Sequence, residues 1–156
     1  MDLQFTRLSE VAIADLIALH TDAAVIRHMP LAGGVFGEAE CRAWVADKER
    51  LWATHGYGPW AFLVDGRFAG WGGLQREGGE ADLALVLFPR YWGHGAAICR
   101  QIVKRAFGDM GLDSITALLP ASRVRTGGMR RLGFAAEGEV SVSGETFVRY
   151  RLRAPA

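Results

Sequence analysis

The chain has 156 residues, half of them hydrophobic, with a net charge of +1 and a pI near 7.9. That length and apolar content suit one domain over residues 1–156 with a substantial core. The near-neutral charge gives no support for a nucleic-acid binder, and the longest wholly apolar run, Leu83–Phe88, is far too short to span a membrane. Met1-Asp2-Leu3-Gln4 has neither the basic nor the apolar stretch of a signal peptide. Cys41 and Cys99 stand far apart with no Cys/His cluster, so both read as buried thiols in a reducing cytoplasm, with no metal site. Glycine, at 20 residues, is abundant enough that part of the chain must turn tightly or approach something closely.

Leu3 to Leu8 alternates as a first strand. Ser9 then offers a cap to a helix whose stripe is Ile13, Leu16, Ile17 and His20. Met29-Pro30 to Gly37 reads as a loop. A second helix, Glu38 to about Thr54, would bury Cys41, Trp44, Val45, Leu51 and Trp52, and would turn Glu38, Glu40, Asp47, Lys48, Glu49 and Arg50 to solvent. The period then changes. Trp60–Val64, the turn Asp65-Gly66 and Arg67–Leu74 spell a hairpin. Gln75–Gly79 reads as a polar turn. Asp82–Phe88 is apolar on both faces apart from Asp82, as a central strand should be. A helix from about Gly95 to Met110 follows, with Ile98, Cys99, Ile102, Val103, Ala106 and Met110 as its core stripe and Gly111 as its stop. Ser114–Leu119 is another strand, stopped by Pro120. A short helix from about Arg123 to Leu132 and a last strand pair turning at Ser143-Gly144 complete the chain. The order implies a mixed α/β (α+β) sheet, antiparallel in its hairpins, with one parallel crossover between Asp82 and Leu119.

The stretch with the most chemistry in it is Phe88-Pro89-Arg90-Tyr91-Trp92-Gly93-His94-Gly95-Ala96-Ala97, set between a strand and a helix. Small residues at a helix N-terminus leave backbone N–H groups open to an anion. The bland alternative is two glycines that merely permit a tight turn. A dinucleotide fingerprint would need a third glycine where Ile98 stands, and a Walker loop would need Gly-Lys-Ser/Thr.

The stretch resembles the pyrophosphate loop, Arg/Gln-x-x-Gly-x-Gly/Ala, of the GNAT acetyltransferase superfamily. More closely it is similar to the Pro-x-x-Trp-Gly-Lys-Gly-x-Ala segment of the branch that includes ribosomal-protein N-terminal acetyltransferases. Ala106-Phe107, Gly111-Leu112, Leu132-Gly133-Phe134 and Arg27-His28-Met29-Pro30 look like further landmarks of that branch, in order. The resemblance implies a GNAT-like, mostly antiparallel sheet with a splayed parallel strand pair, flanked by about four helices. It implies acetyl-CoA as co-substrate, with pantetheine held by backbone groups near Val86 and Leu87, and pyrophosphate held by the amides of Gly93, His94, Gly95, Ala96 and Ala97. Arg90 would add a charged contact, or else be a solvated loop arginine. His94 stands where relatives often have Lys or Arg. Ser122, Arg125 and Cys99 depart from residues common in the family.

The implied reaction is transfer of an acetyl group to a primary amine by direct attack. Asp82 is the candidate base, the alternative being a strand-end aspartate in water. Ser122 is the candidate near the departing sulfur, the alternative being a helix cap. The acceptor would be a peptide α-amine or a small-molecule amine, entering past Met29, Phe36, Trp44, Trp60, Trp71 and Tyr150. Glu38, Glu77 and Glu80 are available to attract a cation. A homodimer through Phe147, Val148 and Tyr150 near a sheet edge is a further expectation. The rival class is a non-catalytic module that binds coenzyme A or a protein partner.

Overall fold

The computed structural model of the protein describes residues 2–29, 34–123 and 127–156. In chain order the elements are β1 (Leu3–Thr6), α1 (Ile13–Thr21), α2 (Ala23–Ile26), α3 (Glu38–His55), β2 (Pro59–Val64), β3 (Arg67–Glu77), β4 (Glu80–Leu87), α4 (Gly95–Phe107), β5 (Ser114–Pro120), α5 (Gly127–Arg131), β6 (Ala135–Val142) and β7 (Glu145–Arg153). Leu8–Glu10 and Pro89–His94 are 3-10 segments. The seven strands form one sheet in the order β1-β2-β3-β4-β5-β7-β6. Every neighbouring pair is antiparallel except β4 and β5. This is the mixed α/β GNAT-like architecture that the chain's motifs imply.

Local chemistry accounts for most boundaries. Asp65 and Gly66 both take positive φ, as do Ser143 and Gly144. That is the geometry of a two-residue hairpin turn whose twist matches the strands. Asp22 caps α2 by accepting from the N–H groups of Ala24 and Val25 at 2.9 and 3.1 Å. This short helix was not foreseen, and Ser9 caps nothing: it sits inside a 3-10 turn, and α1 starts after Ala12 without a side-chain cap. Residues Gln75–Glu77 extend β3 instead of turning, which leaves only Gly78 and Gly79 for the bend. Of the last helix Gly127–Arg131 is described; Val124–Thr126 of the expected range lie outside the described residues. In β6, Glu137 sits in a bulge between Ala136 and Gly138, which aims its carboxylate at Arg151 Nε, 2.8 Å away.

Each face of the sheet carries its own core. On one face α4 lays Ile98, Cys99, Ile102 and Ala106 over Leu83, Leu87, Ile115, Ala117 and Tyr150. On the other, α1 and α3 lay Leu16, Leu19, Cys41 and Val45 over Ala61 and Trp71. Both cysteines are buried and free, and burial pushes the Cys99 thiol up to about 11. Strand β3 runs close to β4: Gly70 has φ +152, and a Cβ there would lie 2.1 Å from the carbonyl oxygen of Val86. Strand β7 lies inside the sheet, and β6 forms the edge. The residues expected near an edge, Phe147, Val148 and Tyr150, therefore have strands on both sides. No helix among the described residues is long and apolar enough to cross a membrane.

Candidate active site

Strands β4 and β5 pair only at Asp82↔Thr116 and Leu83↔Ala117. Beyond Leu83 they part, while β4 stays paired with β3 as far as Leu87, and β5 with β7 as far as Pro120. Ala84–Leu87 therefore line a gap about 13 Å deep at strand rise. The register fixes which backbone groups look into it. A Cβ built on Gly70 meets the oxygen of Val86, and one built on Gly72 meets that of Ala84 at 2.6 Å, so both carbonyls point at β3. Phe88 N likewise donates to Ala69 O at 2.9 Å. Since an antiparallel ladder alternates, the N–H and C=O groups of Leu85 and Leu87 face the gap. Of the two positions expected to offer backbone to pantetheine, Leu87 faces the right way and Val86 does not. The Leu87 carbonyl already accepts from Trp92 Nε1 at 2.9 Å.

Asp82 sits at the vertex of the splay. It is 4% exposed, so it is no solvated strand-end aspartate. Thr116 Oγ1 donates to its Oδ1 at 2.8 Å. Burial pushes its pKa up to about 6 and Glu77 adds to the rise, against the lowering effects of the Thr116 hydroxyl and the Arg149 charge. Side chains alternate along a strand, so Asp82 shares the α1–α3 face with Ala84 and Val86.

At the far end of β4 the expected open loop is instead a 3-10 segment running straight into α4. Tyr91 N donates to Phe88 O, and Gly95 N to Trp92 O. No side chain caps α4, and Gly93, His94, Gly95, Ala96 and Ala97 form the passage from the 3-10 segment into its first turn. Neither Gly93 nor Gly95 needs a positive φ. What glycine gives at 93 is room, since no atom lies within 4 Å of where its Cβ would be. Arg90 is exposed, with its guanidinium 5.1 and 5.3 Å from the ring centroids of Tyr91 and Phe88.

The structure does not bring Ser122 to Asp82. Pro120 is already about 13 Å up β5 from Thr116, and Ser122 is exposed in the turn beyond it, where Arg123 N donates to Pro120 O. The aromatic residues expected to line the acceptor side divide between the two faces. Met29, Phe36, Trp44 and Trp71 lie on the α1–α3 face, and Trp60 and Tyr150 on the α4 face. Two of the acids expected to draw a cation are taken: Glu38 pairs with Arg42 at 2.8 Å, and Glu80 with Arg151 at 3.1 Å.

Two residues near the site were missed. Thr116 gave no signal beyond an apolar strand. Lys48 did: it falls three and four residues from Val45 and Trp44, on the stripe that α3 turns inward. Its ammonium lies 2.6 Å from Gln75 Oε1, and burial lowers its pKa. Beside it His20 accepts from Trp71 Nε1 at 2.9 Å between the rings of Phe36 and Trp44, and burial lowers its pKa to about 4.

Comparison with known proteins agrees with this geometry. The chain superposes on an acetyltransferase from Agrobacterium tumefaciens str. C58 with a TM-score of 0.74 at 18% identity, covering 97% of this chain and 91% of that one. A GNAT-family acetyltransferase from Bacillus anthracis gives 0.70 at 19% identity over 97% and 93% of the two chains. An N-acetyltransferase from Staphylococcus aureus Mu50 gives 0.70 at 17% identity over 98% and 99%. No curated protein matches. The profile described as Acetyltransferase (GNAT) domain matches residues 2–134. The chain belongs to the GNAT acetyltransferase family, and is an acetyl-CoA-dependent N-acetyltransferase by that membership.

Proposed function

We propose that this protein moves an acetyl group from acetyl-CoA to a primary amine by direct attack within a ternary complex, with Asp82 as the base. The observation that carries the reading is the open segment of β4, Ala84–Leu87, with a buried carboxylate at its vertex. The gap and the first turn of α4 fit the co-substrate. Leu85 and Leu87 offer backbone groups to an extended pantetheine, and the Ala96 and Ala97 amides, beside the space over Gly93, offer donors to a diphosphate. Arg90 and His94 flank that turn.

Acetyl-CoA supplies an activated acyl carbon, and the chain does the rest. An amine must be neutral to attack. Asp82, ionised above about pH 6, takes the proton from the incoming ammonium, and the Thr116 hydroxyl holds the carboxylate in place. The Leu85 N–H faces the gap and is the donor for negative charge developing on the acyl oxygen. The new bond is carbon to nitrogen, and the one that breaks is carbon to sulfur. The exposed Ser122 has no part in this scheme.

The test is calorimetric titration with acetyl-CoA, followed by thiol release across a panel of amines and peptides. Binding with amine-dependent thiol release is the expected result. Binding without release on any amine would favour the non-catalytic module. Absence of binding would overturn both.

A further inference from the structure

On the α1–α3 face, one cation beside β4 has no acid paired with it among the described residues. The Lys48 ammonium is 5.4 and 5.8 Å from the ring centroids of Trp71 and Trp44 and donates to Gln75 Oε1. Gln75 is the cross-strand partner of Asp82, and Trp71 that of Val86, so Lys48 overlooks β4 beside the gap. Lys48 takes part in no ion pair among the described residues. An ammonium has three donors, and Gln75 uses one. A Leu or Met would fill the wall between Trp44 and Trp71 without the cost of desolvating a charge. Packing at position 48 therefore does not require a cation, whereas an anionic ligand would.

On the reading of the site as an acetyl-transfer centre, we propose that the acceptor is a small molecule carrying a carboxylate a few bonds from its amine. Lys48 holds the carboxylate, the acceptor's alkyl part lies on Trp71 and Trp44, and the amine reaches Asp82 at the vertex of the gap.

Product-side ligands test this without turnover. N-acetyl ω-amino acids of graded chain length, and their neutral carboxamides, would be titrated by calorimetry in the presence of CoA. The acid should bind about 10-fold tighter than its amide at one chain length, the worth of a charge-assisted hydrogen bond. Lys48→Met should abolish that preference, Lys48→Arg should keep part of it, and acetyl-CoA affinity should be unchanged in both. Equal binding of acid and amide by the wild type, or a preference that survives Lys48→Met, would overturn the assignment. Intact acetyl-CoA binding with no acid preference would sink only the role of Lys48. Loss of acetyl-CoA binding in the wild type would sink the acetyl-transfer reading.

Discussion

Replacing Asp82 with Asn should raise stability and abolish activity, each with its own pH signature. In the fold the Asp82 pKa stands at about 6, against a reference of 3.8. A raised carboxyl pKa means that the folded state favours the protonated acid. The stabilisation is fully present below the reference value and is lost as pH rises through about 6. A shift of roughly two units at ~1.4 kcal/mol each makes the loss ~3 kcal/mol by pH 8. Asn cannot ionise, and its Oδ1 can still accept from Thr116. Urea unfolding should therefore find the two proteins equally stable near pH 4 and the Asn variant up to ~3 kcal/mol more stable near pH 8. His20 has the opposite trend, but it is present in both proteins and cancels in the difference. In the same variant kcat/KM should fall by a factor of ~10² to 10⁴, and the limb rising through pH 6 should disappear. A stability difference that does not change between pH 4 and pH 8 would refute the burial argument. A retained limb would refute the assignment of Asp82 as base.

Other outcomes follow from single contacts. Thr116→Val removes the hydroxyl that stabilises the Asp82 carboxylate, so the acid limb of kcat/KM should move to higher pH, read from a pH–rate profile. Gly70→Ala puts a methyl against the Val86 carbonyl at a φ that only glycine adopts freely, and should cost at least ~2 kcal/mol in urea unfolding. His20 is held neutral by burial, so its contribution to stability is lost as pH drops from 6.5 towards about 4; the stability of the wild type relative to His20→Gln, in which the Asp82 effect cancels, should fall over that range in urea unfolding.

What could be read from the residues was whatever depends on neighbours in the chain. The Asp65-Gly66 and Ser143-Gly144 turns, the α3 and α4 stripes and the apolar run of β4 all came from local propensity and period. Boundaries that depend on hydrogen bonds chosen in three dimensions were not legible. Ser9 looked like a cap but lies inside a 3-10 turn, and α2 appeared because Asp22 found two amides to accept from. The state of Asp82 was undecided in the sequence, since an aspartate at a strand start is equally at home in water. Only the packing of β3, β5 and α3 around it closed it off and set its pKa. The direction of each backbone group along β4 was equally invisible: pairing with β3 fixes it, and that pairing turns Val86 away from the gap and Leu85 toward it. Lys48 shows the same division. Its charge had it turned to solvent although its spacing from Trp44 and Val45 fits the inward stripe; only the tertiary fold set a charged group against Gln75 and two tryptophans, because only the fold decides which charges find partners.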